Sequence, residues 1–230
     1  MAAFFIIKNL SKEPTPGVVP PDNPTEEKSP AEQIVIKAYR IINPSKNKDI
    51  RAEVPEIVNL TNNAFKEYMN QKILKTVLDY KSEMDVMVDE DTALETLYKY
   101  VVSYQTYPTD IYLSLVVNNN YQTGGMRSNI WKDTYTINVS DNKEVFLKDL
   151  FNPEIDYKAA ILKEINSQAS ARNYELVGGN GLSNLPDEQK YYIKDGKLII
   201  YFDAAAIAPY VLGELEFEMP FTYNNGRFSI

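Results

Sequence analysis

The chain has no cysteine and no histidine among its 230 residues. Without cysteine it forms no disulfide and offers no thiolate nucleophile, a composition open to an exported and to a cytosolic protein alike. Without histidine it has no Ser-His-Asp or Cys-His nucleophile set, no zinc site of the usual kind and no imidazole pH switch. It also lacks a strong basic block: 24 basic against 32 acidic residues leave a net charge of -8. Nucleic-acid binding needs a positive footprint for the phosphates, so that partner class is set aside. The negative balance suits a cationic partner, and suits plain solubility equally. Long hydrophobic runs are missing as well. The longest at the start, Met1 to Ile7, is far short of the roughly 20 residues that span a bilayer. It reads as the outer end of a membrane or signal segment, as a short edge strand, or as an unstructured start.

Tyrosine is abundant, at 17 residues against 9 Phe and 1 Trp. Its ring packs while its hydroxyl stays wet, which fits half-buried sheet surfaces. Residues 1–32 read as a membrane-proximal or disordered linker. Pro14, Pro16, Pro20, Pro21, Pro24 and Pro30 break helices and have no place in a central ladder. Residues 33–96 are expected to form a strand-helix subdomain, with strands near Ile34–Tyr39 and Ile50–Ile57. Asn43-Pro44-Ser45 should turn between them, and Pro55 marks an edge or a strand end. A helix follows: candidate caps at Leu60 to Asn63 precede the stripe Phe65, Met69, Ile73, Leu74, Val77 and Leu78. The pattern weakens after Tyr80.

Residues 97–230 are expected to form a second α+β unit. Tyr98–Tyr107 and Ile111–Tyr121 should pair around Pro108-Thr109-Asp110. Trp131–Val139 alternates, except that Asp133 falls on its apolar face and suggests a wet edge at the strand's beginning. Asn152 and Pro153 suggest a helix start, with Tyr157, Ile161, Leu162 and Ile165 facing the core. Asp195-Gly196 predicts a tight hairpin. Leu215, Phe217 and Met219 alternate with Glu214, Glu216 and Glu218, as in a sheet covered on one side only. The fold class is α+β, a mostly antiparallel sheet with at least two packing helices.

Chemical motifs are few. The three glutamates could hold a cation or act as a glycosidase pair, but such a face also blunts strand-edge pairing. Asp89, Glu90 and Asp91 lack the spacing of a helix-loop-helix calcium loop and read as a helix-start cluster. No phosphate loop or serine elbow is present. No cofactor is implied.

Several motifs occur together in the second half. Leu113-Ser-Leu115 leads into Tyr121-Gln-Thr-Gly-Gly125. Leu147-Lys-Asp-Leu-Phe151, Tyr191-Tyr-Ile193 with Asp195-Gly196, Leu198 to Phe202, and Ile207-Ala-Pro-Tyr210 with Gly213 and Pro220 follow. In that order they resemble unknown-function family 3298. The stretch from Val54-Pro55 through Asn70 is similar to its usual companion domain, so the likeness covers roughly residues 33 to 223. The resemblance implies a secreted or membrane-anchored module like the ectodomain of RsiV-type anti-sigma factors, which are receptors for lysozyme. It implies a non-catalytic extracytoplasmic sensor or ligand-binding domain at the bacterial cell surface. The partner would be a cationic protein such as a lysozyme, or peptidoglycan fragments. An accessory cell-wall module and a hydrolase using carboxylates alone are the alternatives. Two departures stand out. Met126-Arg127-Ser128 replaces the family's Ala-His-Gly, and Ala205-Ala206-Ile207 replaces its Tyr-Glu-Ile. The expected binding surface is Tyr121, Gly124, Gly125, Arg127, Trp131 and Tyr210, since aromatics and arginine make most hot spots. A structural role for the same residues is the competing reading.

Overall fold

The computed structural model describes residues 28–45, 47–90, 97–123, 128–179 and 181–230, leaving out the Glu90 side chain. It is an α+β fold built around a six-stranded sheet. Strand β1 (Ile36–Pro44) pairs antiparallel with β2 (Lys48–Ile57), from Ile36 opposite Ile57 to Pro44 opposite Asp49. The expected turn at Asn43 and Pro44 therefore comes slightly later, after Pro44. Alternation sends Ile50, Ala52 and Val54 into the core, each 2 % exposed or less. Pro55 lies past the end of the pairing between β2 and β3 (Tyr98–Pro108), which covers only Lys48–Ala52. It has β1 alone beside it, the place where a missing N–H is tolerated.

Helix α1 (Asn63–Glu90) crosses from β2 to β3, and β2–β3 is the only parallel pair among the described residues. Asn62 caps it, its Oδ1 accepting from the Phe65 N–H at 3.1 Å. Met69, Ile73 and Val77 are buried as their spacing predicts, but Leu78 is 39 % exposed. The helix continues ten residues beyond Tyr80. Met84 is fully buried on the next turn, and Asp85 bridges Lys48 and Lys81, each at 2.5 Å. Asp89 and Glu90 thus lie at the helix's end, a correction to their reading as a helix start, and Asp91 lies outside the described residues.

Strand β3 turns through Thr109 into β4 (Tyr112–Thr123), which runs antiparallel to β5 (Ser128–Asn138); the two-residue β6 (Lys143–Glu144) closes the sheet. Leu113, Leu115, Val117, Tyr135 and Ile137 face α1. Tyr112 points the other way, into a second core with α2 (Tyr157–Ala171). That helix starts later than Asn152 and Pro153 suggested. Asn152 uses its side chain in a turn, accepting from the Glu154 N–H, while Asp156 caps the helix by accepting from Ala159. A three-stranded antiparallel sheet, β7 (Tyr191–Lys194), β8 (Lys197–Phe202) and β9 (Leu215–Glu218), lies over the second core. Its Leu198, Ile200, Phe202 and Phe217 join that core. Its other face is not simply exposed: Tyr192 and Ile199 pack on Val116 and Tyr107 of the large sheet. The hairpin β10 (Thr222–Asn224) and β11 (Arg227–Ser229) adds Phe228 to the second core.

Candidate functional site

Of the expected surface, Tyr121, Trp131 and Tyr210 gather at the end of the β4–β5 pair bounded by Thr123 and Ser128. Gly124, Gly125 and Arg127 lie outside the described residues. Tyr121 is opposite Asn129, and Asn119 is opposite Trp131. Both aromatic anchors therefore share the sheet face that α1 covers. The Tyr121 hydroxyl points to the Met87 sulfur of α1 at 2.9 Å. The Trp131 ring meets Tyr80 edge-on at 4.8 Å and lies parallel to Tyr100 at 6.3 Å. Tyr210 reaches the same hairpin from the other lobe. It stands on a 3₁₀ turn (Tyr210–Leu212), and its hydroxyl approaches the Ser128 carbonyl at 3.4 Å. Tyr210 is 47 % exposed and its neighbour Val211 87 %. Ile130, two residues beyond Ser128 in β5, is 44 % exposed.

Behind this rim lies a polar network that alternation did not reveal. Asp133 is not at a wet edge: its side chain is 13 % exposed. Its Oδ2 accepts from Asn119 Nδ2 at 2.9 Å, and the Tyr100 hydroxyl donates to Asn119 Oδ1 at 2.7 Å. Burial raises the Asp133 carboxyl above its ordinary value, against the opposing pull of Lys190, 3.9 Å away, and of the Asn119 hydrogen bond. The Trp131 Nε1 is buried with no hydrogen-bond acceptor among the described residues, yet lies near enough to Asp133 to favour its charge. Lys190 also binds Asp203 at 2.8 Å. Tyr201 donates its hydroxyl to Glu214 and accepts from the Lys132 N–H at 3.0 Å. Its own pKa is raised, chiefly by burial and then by that carboxylate.

The glutamates of β9 and Glu214 just before it are each engaged. Glu216 pairs with Lys132, Glu214 takes the Tyr201 proton as a hydrogen bond, and Glu218 lies 3.7 Å from Lys197. No cluster of three metal-ligating side chains occurs among the described residues. A 220 Å³ pocket opens beside the network, between Tyr135 and Glu144 on one side and Gln189 and Lys190 on the other. Lys190, Asp203 and Val211 drew no notice in the sequence. Each stands in a loop or turn beside one of the motifs rather than within it, and only the tertiary structure shows its place.

Residues 148–222 match the family model described as "Protein of unknown function (DUF3298)". The fold is similar to two solved structures. One is a member of that family from Bacteroides fragilis NCTC 9343, with 16% sequence identity and a TM-score of 0.59, covering 84% of this chain and 92% of the other. The second is a family protein from Pseudomonas aeruginosa PAO1, with 10% identity and a TM-score of 0.57, covering 81% and 89%. No curated protein matches the sequence. Among the described residues no helix is long and apolar enough to cross a membrane.

Proposed function

We propose that the chain is a non-catalytic recognition module that acts outside the cytoplasm, as a sensor or ligand-binding ectodomain of the RsiV type at a bacterial cell surface. The observation that carries this reading is the rim where Tyr210 meets the start of β5, with Val211 next to it on the same 3₁₀ turn. Val211, at 87 % exposure, and Ile130, at 44 %, present apolar surface to water beside a half-exposed tyrosine. Clustered exposed apolar side chains with a polar surround suit a contact surface. Nothing in the packing of either core requires Val211 to stand there. The chain's net charge of -8 favours a cationic protein such as a lysozyme as partner. Peptidoglycan fragments are the second partner class. The carboxylates at β9 and just before it support a non-catalytic reading, because Glu214 and Glu216 are held by a tyrosine hydroxyl and a lysine rather than left facing a substrate.

Calorimetric titration of the chain with a lysozyme and with soluble muropeptides tests the proposal. Binding tighter than about 1 mM is expected for at least one of them. V211D should weaken it at least about tenfold, roughly 1.4 kcal/mol. Affinities weaker than about 1 mM for both probes would overturn the reading. So would peptidoglycan turnover that disappears in E216Q.

A further inference from the structure

We propose that the uncovered half of the six-stranded sheet binds a neutral, hydroxyl-rich ligand, a short glycan segment, along the β4 amides Asn118 and Asn120. The inference rests on the recognition reading and gives its surface a ligand class.

The face is defined by register. Ile42 is opposite Arg51, Arg51 opposite Val101, Val101 opposite Asn120, and Asn120 opposite Ile130. These five residues form one row across five strands, on the side away from α1. Ser103, Asn118 and Lys132 form the adjacent row. Further along β4 the small sheet takes over, where Tyr192 and Ile199 cover Val116. Past Val116 the cover thins: Lys132 still meets Tyr201 and Glu216 of the small sheet and Asn118 is half-buried, while Asn120 is exposed. Ile42 is 69 % exposed, and Val101 and Ile130 are 44 % each.

The sequence of β4 is the second observation. Asn118, Asn119 and Asn120 stand consecutively in an inner strand, where asparagine is disfavoured. Asn119 has a structural reason: it is buried and bonded to Tyr100, Asp133 and the Val117 carbonyl. Its neighbours point the opposite way, and neither side chain has a hydrogen-bond partner among the described residues. A local rule broken with no structural return is where function is expected. Each amide offers both donors and an acceptor, the complement of a sugar hydroxyl.

Charge and size narrow the ligand. The cations of this face are largely matched: Arg40 by Glu53 at 3.0 Å, Arg51 by Asp49 at 2.9 Å, and Lys132 by Glu216, with Lys99 standing opposite Asp49 in register. A nearly balanced face on an acidic chain favours an uncharged ligand over an anion. With the row Asp49, Lys99, Gln122 and Ser128 on the other side, three rows over up to five strands give a patch of at most about 19 Å by about 14 Å. That is roughly a third of the 800 Å² per partner that a stable protein interface needs. The patch therefore suits a chain of a few sugar rings better than a second copy. Val101 and Ile130 flank Asn120 and would support the apolar faces of the rings, and Tyr210 supplies an aromatic edge beside Ser128.

The test is a titration of isotope-labelled chain with the tetrasaccharide of N-acetylglucosamine, followed by NMR. The side-chain amides of Asn118 and Asn120 and the backbone amides of Val101 and Ile130 are expected to shift and saturate. N120V should lose at least about tenfold in affinity while keeping the thermal midpoint, because valine suits a strand better than asparagine. No shifts at this face up to about 10 mM sugar, with lysozyme binding intact, would overturn the glycan inference alone. Absence of binding to every probe would overturn the recognition reading with it. A dimer in sedimentation equilibrium that N120V disrupts would also overturn the inference, in favour of a second copy.

Discussion

Asn70 lies on α1 with its amide against the last residue of β2. Its Oδ1 accepts from the Ile57 N–H at 2.8 Å, and its Nδ2 donates to the Ile57 carbonyl at 3.0 Å. N70A removes both partners and leaves two part-buried backbone groups unpaired. A loss of about 1–3 kcal/mol is expected, read as a lower urea midpoint with an unchanged slope. Asp133 should behave in the opposite sense. Burial raises its carboxyl, so the folded chain holds that proton more tightly than the unfolded chain. The group's contribution to stability therefore falls as pH rises from about 4 through the folded value. D133N abolishes this titration. It keeps an acceptor for Asn119, and Lys190 keeps Asp203. Calorimetry should find D133N more stable than the parent at pH 7, with a smaller gap at pH 4. A less stable variant at pH 7 would mean that attraction to Lys190 outweighs the cost of burial. The sequence marked Asp133 as a break in alternation, but alternation carries no information about a lysine arriving from a distant loop. Asn70 carried no signal at all, because a polar residue on a helix reads as solvent-facing until its neighbour is known.

Elements were legible where a local rule decides them. Asp195-Gly196 announces its hairpin, and both residues take left-handed backbone, at φ 51 and 72. The last hairpin was not among the expected elements, although Asn225-Gly226 carries the same signal, at φ 47 and 79. The two turns differ in what surrounds them. A Cβ on Gly196 would meet nothing within 4 Å, whereas one on Gly226 would stand 2.7 Å from Ile111 Cδ1 and 3.3 Å from the Tyr112 hydroxyl. G196A should cost only the left-handed strain, about 1–2 kcal/mol. G226A should cost at least about 1 kcal/mol more, because Tyr112 is fixed by its hydrogen bond to the Gly226 carbonyl at 2.6 Å. Denaturant unfolding of both variants, side by side, checks the difference. Element ends were less legible. Helix α1 outruns its apolar stripe because Met84 and the Lys48–Asp85–Lys81 cluster hold the extra turns, and that cluster needs β2 to be in place. The start of α2 was misplaced because Asn152 and Asp156 are equally good caps in sequence, and only one of them faces a helical N–H.

At the scale of the molecule, the division near residue 97 suggested by sequence meets a sheet that runs across it, since β2 pairs with β3. Strands after that point supply Leu113, Leu115, Val117, Tyr135 and Ile137 to the core that α1 covers. The β4 strand then feeds Tyr112 to the second core on its opposite face. The two cores therefore share one strand, and further bonds run from β7 to β4 and to the residue after β6. Ile193 N–H donates to Ser114 Oγ at 3.0 Å, and the Tyr191 hydroxyl donates to the Val145 carbonyl at 2.6 Å. Neither core can open without stripping the far side of β4. Such coupling predicts one cooperative transition, with equal calorimetric and van't Hoff enthalpies. It also predicts the behaviour of residues 97–230 expressed alone. Removing α1 bares the apolar face of β3–β5, including Tyr100 and Val102, and an open apolar sheet face drives association. The fragment should aggregate, or bind a hydrophobic dye without near-ultraviolet dichroism. Two resolved transitions in the whole chain, or a monomeric fragment with sharp dispersed resonances, would show that the units are independent and that the strand they share is not what holds them together.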